Sequence, residues 1–130
     1  MGSKIKKVSN KRQESNTLEV LADAVVQGIQ EKKGHDIVVL DLKPTGTSIA
    51  DFFIVCHGDS NTQVDALARS VEDEVHKLTG ENPVYREGYE NAEWILLDYI
   101  SVVVHIFGRE QRDFYGIERL WADAETKRIA

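Results

Sequence analysis

Two apolar runs in the sequence, Ile37-Val38-Val39-Leu40 and Ile95-Leu96-Leu97, show no alternation of apolar and polar residues. A strand of this kind is expected to be buried on both faces, so the sheet that holds them needs a cover on each side. The cover is written into the same chain. Leu18, Leu21, Ala22, Val25, Val26 and Ile29 recur at steps of three and four, as do Val64, Leu67, Ala68, Val71, Val75 and Leu78. Both stripes read as amphipathic helices. Asn16 with Glu19 is a start signal for the first and Gly34 a stop; Gly80 closes the second. Asp36 to Leu42, Asp51 to His57, Val84 to Tyr89, Trp94 to Tyr99 and Val102 to Phe107 read as strands. A last helix is expected from about Arg109, with Phe114, Ile117, Trp121 and Ala124 on one face. The order is αββαβββα. It predicts a single α/β domain with a mixed five-stranded sheet and about three helices. Three helices are not expected to cover both faces of five strands completely, which leaves room for a partner protein or a second copy of the chain.

Charge divides the 130 residues into two regimes. Residues 1–16 carry Lys4, Lys6, Lys7, Lys11 and Arg12 against Glu14, a net of +4. With little but Ile5 and Val8 to bury, this segment is expected to be a basic flexible tail. The alternative reading of this segment is a weak phosphate-contacting arm. The whole chain has 16 Lys+Arg and 22 Asp+Glu; without the tail, residues 17–130 keep 11 and 21, a net of −10. An acidic domain of this kind argues against DNA or bare RNA as the main partner. A single cysteine, Cys56, excludes an intrachain disulfide. No apolar run approaches the roughly 18 residues of a membrane helix, and the N-terminus lacks the apolar core of a secretory signal. The expected location is cytoplasmic.

Residues that could carry chemistry have plainer explanations. Cys56 and His57 are neighbours in a strand and therefore face opposite ways, which makes Cys56 a structural buried thiol. His35, His57, His76 and His105 lack paired ligand spacing, so neither a metal nor any other cofactor is expected. Gly58-Asp59-Ser60 precedes a helix, where Asp59, Ser60 or Asn61 serves as an N-cap; a phosphate-binding fingerprint is absent. Glu72-Asp73-Glu74 cannot converge on one ion, because adjacent helix positions diverge by about 100°. No strand after residue 60 carries a pair of acidic residues, so catalysis has no support.

Four ordered blocks then stand out: ADFFIVCHGDSNTQV (50–64), EWILLDY (93–99), VVVHIF (102–107) and RDFYGIERLW (112–121). Together they resemble the ribosomal silencing factor, or Iojap-related, family over about residues 17–122. The resemblance implies a fold related to nucleotidyltransferases but without their catalytic carboxylates. It also implies a non-enzymatic translation repressor. Such a protein binds the fourteenth protein of the large ribosomal subunit and sterically blocks joining of the small subunit, chiefly when nutrients are scarce. A homodimer off the ribosome is implied as well. The family's tryptophan and aspartate fall on Trp94 and Asp98, and strand alternation places Leu96 between them on the same face. An aromatic anchor beside a carboxylate suits a basic protein partner. Tyr99, His105 and Tyr115 are further candidates, each with plain packing as the competing explanation. One departure is local: Ile100-Ser101 replaces the family's usual Gly-Asp, so a wider turn and one lost acidic contact are expected there. The competing functional readings are a nucleotidyltransferase-like enzyme and a self-associating adaptor with no ribosomal role.

Overall fold

The computed structural model describes the backbone of residues 3–129 and the side chains of residues 17–129. Its elements run α1 (Ser3–Glu31), β1 (His35–Asp41), β2 (Phe52–Gly58), α2 (Asn61–Thr79), β3 (Tyr85–Glu87), β4 (Trp94–Asp98), β5 (Val102–Gly108), α3 (Arg109–Tyr115), α4 (Ile117–Leu120) and β6 (Glu125–Arg128). A single six-stranded sheet has the order β3-β4-β5-β2-β1-β6. Only β2 and β5 are parallel, with α2, β3 and β4 between them in the chain; the other neighbours are antiparallel. The mixed α/β domain is therefore as expected, with one strand more than the five read from the pattern. The sixth, Glu-Thr-Lys-Arg, is exposed along its whole length, so no buried alternation marks it in the sequence. It adds to the edge of β1 by main-chain pairing, with Val38 opposite Arg128 and Asp41 opposite Glu125.

One face of the sheet is closed by α1 and α2. Leu21, Val25 and Ile29 of α1 and Val64, Leu67, Val71 and Val75 of α2 pack on Ile54, Cys56, Ile95, Leu97, Val104 and Ile106. Leu78, expected in the α2 stripe, instead lies exposed in the last turn. The two helices touch closely where a Cβ on Gly28 would stand 2.7 Å from the Val71 Cα, and the Ser70 hydroxyl donates to the Gly28 carbonyl at 2.7 Å. Ser60 is the α2 N-cap: its Oγ accepts from the Gln63 amide at 3.1 Å. α1 begins well before the Asn16–Glu19 signal, since residues 3–16 contain neither Pro nor Gly and hold several Lys, Arg, Gln and Glu, which favour helix. The expected basic arm over residues 1–16 depends on side chains outside those described.

The second face holds Val38, Leu40, Phe53, Val55, Val103 and Phe107, joined by Leu42, Ala50 and Ile117. Its cover is short. Instead of one long final helix, the chain breaks at Gly116, whose φ of +54° is the left-handed value that favours glycine, and restarts as the four-residue α4. Ile117 thereby turns inward, whereas Phe114, expected on the same buried stripe, points out and is 80% exposed. The β4 end of the sheet remains partly open.

Candidate functional site

Cross-strand partners share a face of the sheet, so the register assembles the open end directly. Trp94 lies opposite Phe107, Leu96 opposite His105 and Asp98 opposite Val103; Tyr85 of β3 lies opposite Asp98. Along β4 the burial alternates. Ile95 and Leu97 are sealed under the helices, while Trp94, Leu96 and Asp98 are half-buried on the other side. The double-sided burial expected for Ile95-Leu96-Leu97 is thus realised on one side only, because α3 and α4 do not extend over Leu96.

An aromatic cluster builds out from this strand. The Trp94 indole lies 4.9 Å from Phe107 and 4.7 Å from Tyr115 between ring centroids, and Phe114 meets Tyr115 edge-on at 5.1 Å. Trp94 Nε1 donates to His105 Nδ1 at 3.2 Å, which fixes the indole over the sheet. His105 itself is only 4% exposed. Burial holds its pKa down at about 4, so the ring is neutral and its Nδ1 is free to accept. His105 therefore positions Trp94 from beneath and has almost no surface of its own.

Of the six residues expected at the site, Trp94, Leu96, Asp98, His105 and Tyr115 come together. Tyr99 does not. It is buried on the helix side among Val71, Val75 and Val102, with its hydroxyl pKa raised by burial. The strand ends at Asp98, and Tyr99 opens the turn that follows. Asp98 has a second duty there: its Oδ1 accepts from the Ile100 amide at 2.7 Å. The turn is not widened, as the Ile100-Ser101 departure had implied. Tyr99 N–H donates to the Val102 carbonyl at 2.8 Å and Ser101 N–H to the Tyr99 carbonyl at 2.9 Å, and Ile100 takes a φ of +74°. The sequence reading also missed Phe114 and Leu120, the latter 75% exposed. Gly116 was the available signal, since a glycine inside a helical pattern can end the helix and rotate what flanks it.

Elsewhere, the chemistry is quiet. Burial raises the Cys56 thiol to about 12, which makes it a poor nucleophile. Among the described residues no group of three or more His, Cys, Asp or Glu side chains is placed to hold a metal ion, and no helix is long and apolar enough to cross a membrane.

Comparison with known proteins now adds to this geometry. A family model described as "Ribosomal silencing factor during starvation" matches residues 13–130. The chain belongs to the ribosomal silencing factor family. A "Ribosomal silencing factor RsfS" of Halalkalibacterium halodurans is 41% identical over 106 residues, covering 82% of this chain and 89% of that one. The protein of the same name from Bacillus subtilis is 39% identical, over 72% of this chain and 78% of its own length. A crystal structure from Chromobacterium violaceum, 40% identical, superposes with a TM-score of 0.76 over 81% of this chain and 86% of that one. A protein named "Protein Iojap, chloroplastic" in Arabidopsis thaliana is 35% identical over 71% of this chain but only 37% of its own length. The matched region thus spans 78–89% of these two bacterial relatives and a smaller part, 37%, of the plastid one.

Proposed function

We propose that this chain is a translation repressor that binds the large ribosomal subunit through its fourteenth protein and so blocks joining of the small subunit, chiefly under nutrient limitation. Membership of the ribosomal silencing factor family supplies the ribosomal setting. The observation that carries the reading further is the uncovered aromatic end of the sheet. Trp94 tilted against Tyr115, with Phe114 and Leu96 beside it and Asp98 at its edge, has the make-up of a protein interface: aromatic anchors with a polar rim. The −10 charge of residues 17–130 favours a basic protein over phosphate as the partner, and makes its association rate sensitive to salt. The mode of action is steric, needs no catalytic group, and belongs in the cytoplasm. Off the ribosome the same face would serve a second copy of the chain.

Binding of the purified fourteenth protein of the large subunit, measured by calorimetry, tests the face. Trp94→Ala combined with Asp98→Asn should weaken it at least about thirtyfold, in line with the loss of a central aromatic anchor. Asn keeps the oxygen that accepts from Ile100, so the hairpin is preserved while the charge is lost. Unchanged affinity in a folded variant would remove this face from the account.

A further inference from the structure

On the same side of the sheet, α3 borders a cleft of about 630 Å³ that the aromatic face does not use. His57, Arg109, Arg112, Arg119 and Arg128 line it. His57 sits at the end of β2, opposite Phe107 of β5, and is only 5% exposed. Its tautomer follows from its neighbour. Arg112 Nη1 lies 2.9 Å from His57 Nδ1, and a guanidinium can only donate, so Nδ1 carries the lone pair and the proton resides on Nε2. Burial and the charges of Arg112 and Arg109 lower the His57 pKa, which keeps the ring in this neutral form. Nε2–H is then a buried donor, and among the described residues nothing accepts from it. The nitrogen is sealed from the cleft, so His57 acts there through Arg112, which it holds in place.

We infer that this cleft binds the phosphate group of a small molecule, whose oxygens accept from the guanidiniums that line it. Arg112 is preset for such a role: Glu118 accepts from its Nε at 2.8 Å and the His35 carbonyl from its Nη1 at 3.3 Å, so it is held rigidly at the cleft wall. Arg109 is likewise fixed by Asp59, whose carboxylate also bonds His35. Among the described residues, Arg119 and Arg128 have no carboxylate within ion-pairing distance, which leaves their charge for a ligand. Asp36, Asp113 and Glu118 are also in the wall, so the cleft is only mildly positive in an acidic domain. That balance suits one phosphate group in an open cleft and disfavours a nucleic-acid backbone, which needs a continuous basic track. Inorganic phosphate and a mononucleotide offer the same group and are separated by the experiment.

The full chain is titrated with inorganic phosphate and, separately, with AMP at low salt, by calorimetry and by imidazole nitrogen NMR. Saturable one-to-one binding of at least one, below about 1 mM, is expected, with the His57 Nδ1 resonance shifting through Arg112 on titration. Tighter binding of AMP than of phosphate identifies a nucleotide site, and equal binding a simple phosphate site. Arg119→Gln with Arg128→Gln, both at exposed positions, should weaken binding about tenfold or more without lowering the melting temperature. Three results would overturn the inference: no saturable binding of either compound up to about 10 mM, binding that neither moves His57 nor responds to the double substitution, or tighter binding of a single-stranded RNA oligonucleotide than of AMP.

Discussion

The indole of Trp94 is hydrogen-bonded to the buried ring of His105 directly across the β4–β5 ladder, at 3.2 Å. This contact links a half-buried indole at the open end of the sheet to a ring that is only 4% exposed. It requires a neutral imidazole, because a protonated ring has no lone pair with which to accept from the indole.

Acid should therefore weaken the fold through His105. Its pKa is about 4 in the folded chain and close to 6.5 when unfolded, so the unfolded state takes up a proton first as pH falls. The contribution is fully present above about pH 6.5 and is lost between there and pH 4, by about 1.4 kcal/mol per unit and about 3 kcal/mol in all. His57, also depressed, adds a loss of the same sign. Urea unfolding across this range should give a steeper pH dependence for the natural chain than for His105→Gln, which keeps an acceptor for Trp94 but does not titrate. Parallel curves would contradict the assignment.

Ile100 should be replaceable with profit. A β-branched residue at φ +74° is strained by roughly 1–2 kcal/mol, and its side chain is 66% exposed, so little packing is at stake. Ile100→Gly is expected to stabilise the chain by about 1 kcal/mol after the extra freedom of glycine in the unfolded state is subtracted. Thermal melting reads this out; a lower melting temperature would show that the hairpin does not bear that strain.

Gly28→Ala should do the opposite. In an isolated helix alanine is better than glycine by about 1 kcal/mol, yet here the new methyl would meet the Val71 backbone at 2.7 Å. Forcing α1 off α2 is expected to cost about 1–3 kcal/mol net. A neutral or stabilised variant would mean that the two helices are less closely seated than described.

These residues also mark how far the sequence can be read. The helix side was legible because Val64, Leu67, Val71 and Val75 repeat with helical period and are buried by simple contact with the sheet. The shared placement of four candidate residues was legible for a similar reason, since strand alternation alone puts Trp94, Leu96 and Asp98 together, and His105 joins them across the ladder. Tyr99 falls on the other face for the same reason, since alternation groups it with Ile95 and Leu97 under the helices. β6 was hidden by its exposure, which leaves main-chain pairing as its only signature. The outward turn of Phe114 depended on the left-handed conformation of Gly116, a backbone event that a hydrophobic stripe does not report. His57 was set aside as a metal ligand, and its place beside Arg112 comes from residues 55 positions apart.

The central claim is tested most directly by sedimentation of ribosomal fractions with the natural chain and with Trp94→Ala/Asp98→Asn. The natural chain should travel with free large subunits and, when added to purified subunits, lower the yield of joined ribosomes; the variant should do neither while remaining folded. Travel with joined ribosomes, or undiminished joining at saturating amounts of the natural chain, would contradict the account.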